Sequence, residues 1–436
     1  MNFIVRDKAL FNTFLNQLWR IVSGPLTLVL IPICLTPVEQ GYWYTFISLS
    51  ALAIFADLGF SNIVVQFVAH EFAFCSFDKN GILSGDEMHL QKIADLFRFC
   101  IKWMSFLVVI VFPCILLYGV YILNSQNNTI DWVTPWLIYG SFSGLMFIYT
   151  IVFSFFEGCN LIEQIQFCKF KIGVGVTLIT LIGLLFNLKL YTLAASYICS
   201  VFLGFYFINK YFRKNIKLLW NLSSVKKYSW SKEFFSLLWR YAISFSSSYF
   251  ITQAFTLIAF HFANESFAGR VGISLTIWAV AYNISNSFIL SNTTNFNILV
   301  GNKNFSELNK LFKKSFFRSI GFFVIVGILF LGVFYSAYEF IYFFKRFISP
   351  FGMFILYLSY LLYFIVNSIN IYVRSYKKEP MSLYFLFQSI YVLISSYYFL
   401  VNWGENYFFL GFLTSYIFIL PIMIFFYIKY KKKSFE

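Results

Sequence analysis

Twelve apolar stretches follow one another along 436 residues, near 14–35, 41–70, 99–123, 133–156, 169–187, 190–208, 238–260, 271–298, 318–340, 351–373, 382–401 and 407–428. Each is close to the roughly 20 residues a helix needs to cross a bilayer. A backbone in lipid must satisfy its own polar groups, which leaves helices as the form such stretches can take. The expectation is an all-α polytopic membrane protein with twelve transmembrane helices. Composition agrees: 60% of residues are hydrophobic and 12% charged, whereas about a quarter are charged in soluble domains. Mean hydropathy is +0.74.

The net charge of +15 has to be read by position. In a soluble chain it would point to nucleic acid. In a membrane protein lysine and arginine collect in cytoplasmic segments. With the N-terminus inside, those segments hold Arg6, Lys8, Lys79, Lys92, Arg98, Lys102, Lys169, Lys171, the group from Lys210 to Arg240, Lys303 to Arg318, Arg374, Lys377, Lys378 and the tail from Lys429 to Lys433. The outer segments hold only Lys189, Arg270, Lys345 and Arg346. One span more or fewer would blur that asymmetry, so both termini are expected in the cytoplasm. Trp43, Trp132, Trp136 and Trp403 fall at the outer boundary, and Trp19, Trp103, Trp220 and Trp239 near the inner one. The first apolar run lacks a small-residue cleavage site and is long enough to span, so no removable signal peptide is read. The seven cysteines show neither metal-ligand spacing nor a disulfide framework, and are read as packing residues.

The chain also repeats itself. Leu18-Trp19-Arg20 opens one apolar run and Leu238-Trp239-Arg240 opens another, 220 residues later. At the same offset, Phe205 to Tyr211 stands opposite Phe425 to Lys431, each a last helix running into a basic exit. An even number of spans per half makes the repeat parallel, with a pseudo-twofold axis along the membrane normal. Two six-helix bundles around a central cavity are expected: 1–213, a basic cytoplasmic linker 214–236, and 237–436. The linker carries Trp220, Trp230 and several lysines, and reads as a segment lying on anionic headgroups.

Ionisable groups inside the membrane are costly, which makes them candidates for function. Arg20 shares a stripe with Asn16, Ser23, Gly24 and Thr27, and Arg240 one with Ser236, Ser244, Ser247 and Ser248. The two arginines could form a bidentate donor pair for a phosphate or diphosphate, or snorkel to the inner headgroups as anchors. Asp57 is the only acid well inside an expected span. It can cap a helix terminus, pair with Arg20, or couple transport to a proton or sodium ion. The inner half of the eighth span is dense in amides and hydroxyls, among them Asn283 and Asn286. These suit sugar hydroxyls, although an early end of the helix explains them as well. His70 with Glu71, and His261 with Glu265, end spans where water can solvate them. Arg270 joins the candidates as an outer-side cation. Neither paired acids in an outer loop, a histidine cluster, a phosphate loop nor a nucleophile elbow is present, so a transporter is expected and an enzyme is not.

The segment Asn16-Gln17-Leu18-Trp19-Arg20, with Gly24-Pro25, then Gln40-Gly41-Tyr42-Trp43 and Asp57-Leu58-Gly59, resembles the polysaccharide-transporter branch of the multidrug/oligosaccharidyl-lipid/polysaccharide (MOP) exporter superfamily. The nearest type is the Wzx-type O-antigen flippase, in which a Gly-x-Trp or Gly-x-Tyr turn follows the first helix and an Asp-x-Gly pattern lies in the second. The resemblance is strongest over about the first 110 residues. It implies a bacterial inner-membrane protein that moves undecaprenyl-diphosphate-linked oligosaccharide by alternating access. It needs no cofactor beyond a coupling proton or sodium ion. The implied partners are the lipid-linked oligosaccharide, membrane lipids, a polysaccharide polymerase and a chain-length regulator, with no nucleic acid. Within the same fold the competing reading is a multidrug exporter, whose cavity should be acidic. Outside it, the competitor is a polymerase or ligase, which needs a larger outer loop than this chain has.

Overall fold

The computed structural model describes residues 3–126, 130–222, 230–376 and 380–432, except for some side chains within helices, those of Arg20 and Arg240 among them. All twelve expected stretches are helical. Among the described residues, ten helices are individually long and apolar enough to cross a membrane, and an eleventh span is a pair of segments, 37–57 and 60–72, bent by 42°. The remaining stretch, 238–260, is divided between two consecutive helices, α10 (Ser231–Thr252) and α11 (Ala254–Phe262). Its serines and Arg240 lower its hydropathy relative to the others. The protein is an all-α polytopic membrane protein.

The residues fall into two compact units. The first, 1–35 with 49–246, holds α1 (Phe3–Cys34), α3 (Ile54–Asp57), α4 (Phe60–Phe72), α5 (Glu87–Leu123), α6 (Val133–Gly158), α7 (Ile162–Leu185), α8 (Tyr191–Phe207) and α9 (Arg213–Asn221). Within it α1 packs on α7, α7 on α8, and α6 on α4, α5 and α8. Its core is aromatic: Phe156 stacks on Phe212 at 4.5 Å between ring centroids, and Phe97 meets Phe155 edge-on at 4.9 Å.

The second unit, 36–48 with 247–436, holds α11, α12 (Glu265–Leu290), α13 (Thr293–Gly301), α14 (Phe305–Ala337), α15 (Pro350–Arg374), α16 (Ser382–Trp403) and α17 (Leu410–Lys432). Trp278, Phe323, Tyr357 and Phe364 form its centre, with Trp278 5.0 Å from Tyr357. Most of one early helix, α2 (Pro37–Ser50), also belongs here. Its start is a capping box: the Glu39 amide donates to Thr36 Oγ1 at 3.2 Å, and Glu39 Oε2 accepts from the Thr36 amide at 2.9 Å. Proline fills the first helical position, where a missing N–H costs nothing.

The contact between α2 and α12 is unusually close because glycine lines it. A Cβ added at Gly41 would lie 2.0 Å from the Glu265 carbonyl oxygen, and one at Gly272 would lie 2.3 Å from Tyr44 Cβ. Gln40 donates through Nε2 to the Gly269 carbonyl at 2.8 Å. Further along α2, Ser48 Oγ donates to the Gln253 carbonyl at 2.6 Å, and the Tyr249 hydroxyl to the Ser48 carbonyl at 3.1 Å.

The hydrophilic stretch after α4 is ordered. Strands β1 (Cys75–Phe77) and β2 (Leu83–Gly85) pair antiparallel, with Phe77 opposite Leu83. Asp78 Oδ1 accepts the amides of Asn80 and Ile82, both at 2.8 Å, and Gly81 takes a left-handed φ of 73°. The first part of the linker docks on this hairpin: Asn215 accepts the Leu83 amide at 2.9 Å and donates to the Gly81 carbonyl at 3.0 Å. Arg98 donates to the carbonyls of Leu219, Trp220 and Leu222, satisfying the end of α9. Glu71 corrects one expectation. It is not solvated but buried, with Oε2 2.6 Å from His89 Nδ1 and 3.7 Å from Lys92 Nζ.

Candidate functional site

The sequence candidates fall into two groups by unit. In the first, Asn16 faces α7, as does Asn12 one turn earlier on α1. Asn12 Nδ2 donates to the Glu163 carbonyl at 3.3 Å, and Asn16 Nδ2 to Gln166 Oε1 at 2.9 Å. Thr27 Oγ1 returns to its own helix, to the carbonyls of Ser23 and Gly24, so this part of the polar stripe is committed within α1. The side chains of Arg20 and Arg240 lie outside the described residues.

Asp57 sits at a break. Leu58 and Gly59 both have left-handed backbone, with φ of 46° and 83°. Such a conformation is uncommon for a side chain like leucine and routine for glycine. The break frees the first amides of α4, and Asp57 Oδ1 accepts the Ser61 amide at 3.1 Å and the Ser61 hydroxyl at 2.5 Å. A carboxylate there also meets the positive end of the α4 dipole. The Asp-x-Gly pattern is therefore a helix stop followed by a helix start inside one span.

In the second unit, Arg270, Asn283 and Asn286 lie on α12. Arg270 is 13 residues, or about 20 Å, from Asn283, so these three do not make one site. Asn283 belongs to an accessible stripe with Thr276, Val280 and Ser287 at helical spacing. Asn286 turns inward. It is 6% exposed, and its Oδ1 has no hydrogen-bond partner among the described residues. Beside Asn283, the Tyr282 hydroxyl is hydrogen-bonded to the Asn367 amide, and the Tyr282 ring stacks on Tyr363 at 4.7 Å. Tyr363 continues to Tyr416 at 5.7 Å. Nothing in the sequence singles out this row of phenols and amides, because tyrosine is common in the chain and the row draws on three helices. Past α12 the polar run bends at Ser291-Asn292 into α13, where Asn292 Nδ2 donates to Ser315 Oγ at 3.2 Å.

Arg270 is paired at the other end of α12: its Nη2 donates to Glu405 Oε2 at 2.7 Å. Next to it lies a cavity of ≈ 280 Å³ lined by Pro37, Gln40, Ser266, Arg270, Tyr342, Lys345 and Arg346. Arg346 stands in a turn of 3-10 helix, Tyr342–Arg346, between α14 and α15. It is 7% exposed, and burial holds its pKa below the ordinary arginine value, with Tyr342 and Glu39 opposing that shift.

The whole architecture has close counterparts among solved structures. Lipid II flippase MurJ in an inward closed conformation aligns with a TM-score of 0.69 over 97% of this chain and 90% of its own, at 14% identity. An inward-facing multidrug resistance MATE family transporter of the MOP superfamily aligns at 0.67 over 96% and 95%, at 11% identity. The fold is that of the MOP transporters. A MOP superfamily transporter from Pyrococcus furiosus, described as having a binding pocket of reverse polarity, aligns at 0.53 over 98% and 96%, at 10% identity. No family model matches the chain, and no curated protein does. Among the described residues, Asp57 is engaged at the start of α4, and the accessible stripe of α12 carries Thr276, Asn283 and Ser287 with Val280.

Proposed function

We propose that the chain is a flippase for a diphosphate-linked oligosaccharide in the bacterial inner membrane, of the O-antigen type. The observation that carries this reading is the likeness to a lipid II flippase over 97% of the chain. The residues present favour it over a multidrug exporter. An exporter of organic cations is expected to have an acidic cavity, and Asp57 is the only acid well inside an expected span. A glycan offers hydroxyls, which Asn283 and Ser287 on the accessible stripe can meet. A diphosphate offers anionic oxygens, for which Arg20 and Arg240 are the donors of choice. Alternating access of two bundles about a central cavity carries the headgroup while the lipid tail stays in the bilayer. The partners are the lipid-linked oligosaccharide and, downstream, the polymerase and chain-length regulator that consume it. A proton or sodium ion, coupled through Asp57, supplies any drive.

The test is complementation of a flippase-deficient strain. Arg20→Ala is expected to abolish surface glycan while the protein accumulates normally in the membrane. Normal display by that variant removes Arg20 from the mechanism. Failure of the unaltered chain to flip lipid-linked oligosaccharide in vesicles, together with export of organic cations, overturns the reading in favour of the drug exporter.

A further inference from the structure

Three of the four cations that the charge bias places on the outer side, Arg270, Lys345 and Arg346, converge on the ≈ 280 Å³ cavity of the second unit. We propose that this cavity binds a phosphate group, presented in the membrane by the headgroup of an outer-leaflet phospholipid. The proposal stands whether or not the chain flips an oligosaccharide.

Charge is the first argument. The cavity lining holds three cations and no carboxylate. The acids stand around the lining rather than in it: Glu405 is bonded to Arg270, Glu39 acts on Arg346, Glu265 precedes Ser266 in the chain, and Glu339 acts with Arg270 on Tyr338. The positive charge is therefore a property of the cavity wall itself. Pro37 and Gln40 lie in the first turn of α2 and Ser266 in the first turn of α12. Both starts are capped, by Thr36 with Glu39 and by Asn264, so the side-chain cations carry the argument.

Buried polar atoms at the lining are the second argument. Gln40 is 1% exposed, and its Oε1 has no hydrogen-bond partner among the described residues; neither has Nε of Arg270. Orphaned buried groups of this kind ask for a ligand or water. One is an acceptor and the other a donor. A phosphodiester carrying a hydroxyl headgroup, such as phosphatidylglycerol, supplies the anionic oxygen for Arg270 and the O–H for Gln40.

Size and surroundings decide between headgroup and free ion. The cavity is at the small end of ligand pockets, which run from about 300 Å³ upward, so it suits a headgroup rather than a whole substrate. Phe340 and Ile341, next to Tyr342 in the chain, are 88% and 48% exposed. Exposed apolar side chains beside a basic cavity give an acyl chain somewhere to lie.

Native mass spectrometry of the purified full-length chain, titrated with phosphatidylglycerol, phosphatidylcholine or inorganic phosphate, tests the assignment. Phosphatidylglycerol should be retained in preference to phosphatidylcholine, and inorganic phosphate should compete with it. Lys345 is exposed, so Lys345→Gln should fold normally. Loss of one charge-assisted contact should weaken phosphatidylglycerol retention by about tenfold, with Lys345→Arg restoring it. Arg270→Gln should weaken it as well. Equal retention of the two lipids, or retention unchanged in both Lys345→Gln and Arg270→Gln, overturns the site. Binding of inorganic phosphate without phosphatidylglycerol overturns the lipid as its source.

Discussion

Asp57 illustrates how a residue can be found from sequence while its role is not. Its place in an apolar stretch marks it, since an acid there is expensive. Its role depends on the backbone: Leu58 and Gly59 turn left-handed, the helix stops and restarts, and the carboxylate takes the new start. Asparagine caps about as well as aspartate, whereas alanine does not. Asp57→Asn should therefore keep the stability of the wild type in a detergent melt, and Asp57→Ala should lose about 1 kcal/mol. Gradient-driven transport in vesicles then separates the roles. Loss of the gradient response in the well-folded Asp57→Asn assigns coupling to the charge, and an unchanged response leaves Asp57 as a cap alone. Glu71 shows the opposite case. It was legible as a boundary acid, but its burial against His89 and Lys92 was not, because those partners come from beyond a hairpin.

At the scale of elements, hydropathy and length located all twelve helical stretches, because both are properties of a local window. The hairpin at 75–85 lies between apolar stretches, where hydropathy carries no sign of it. Its signal was nonetheless present in Asp78-Lys79-Asn80-Gly81, where Asn-Gly is a strong hairpin cue. The α2–α12 contact had a subtler trace. Gly41 stands out through the Gly-x-Trp pattern expected to form a turn, but the structure places it inside helix α2, where the Glu265 carbonyl lies close to where its Cβ would be. Alanine ought to favour an isolated helix by about 1 kcal/mol over glycine. Here Gly41→Ala has to push α2 off α12, and overpacking of that kind costs about 1–3 kcal/mol. The variant is expected to melt at a lower temperature and accumulate less. A melting temperature at or above that of the wild type would mean the two helices can separate without cost.

For the whole molecule, the charge bias and the 220-residue echo were readable because each is carried by many residues or by an unusual triplet. The placement of 36–48 in the second unit was not. It rests on contacts such as Gln40 with Gly269, 229 residues away, which no local pattern announces. The outer cavity escaped for the same reason. Arg270, Lys345 and Arg346 were each visible as outer cations, yet Gln40 and Pro37 reach them only through α2.

That placement of α2 has a consequence for how divisible the protein is. A polypeptide of residues 237–436 has most of the second unit but not 36–48, so the glycine face of α12 is bare and the basic cavity lacks one wall. A polypeptide of residues 1–213 carries an orphan helix whose docking site is on the other fragment. Expressed singly, the C-terminal fragment should aggregate; expressed together, the two should copurify, and size-exclusion chromatography distinguishes the outcomes. A soluble, monodisperse C-terminal fragment would show α2 to be dispensable. Aggregation of the C-terminal fragment alone would mean that the repeat written in the sequence does not mark two autonomous modules, and that half of this gene, transplanted alone, encodes an unfinished protein.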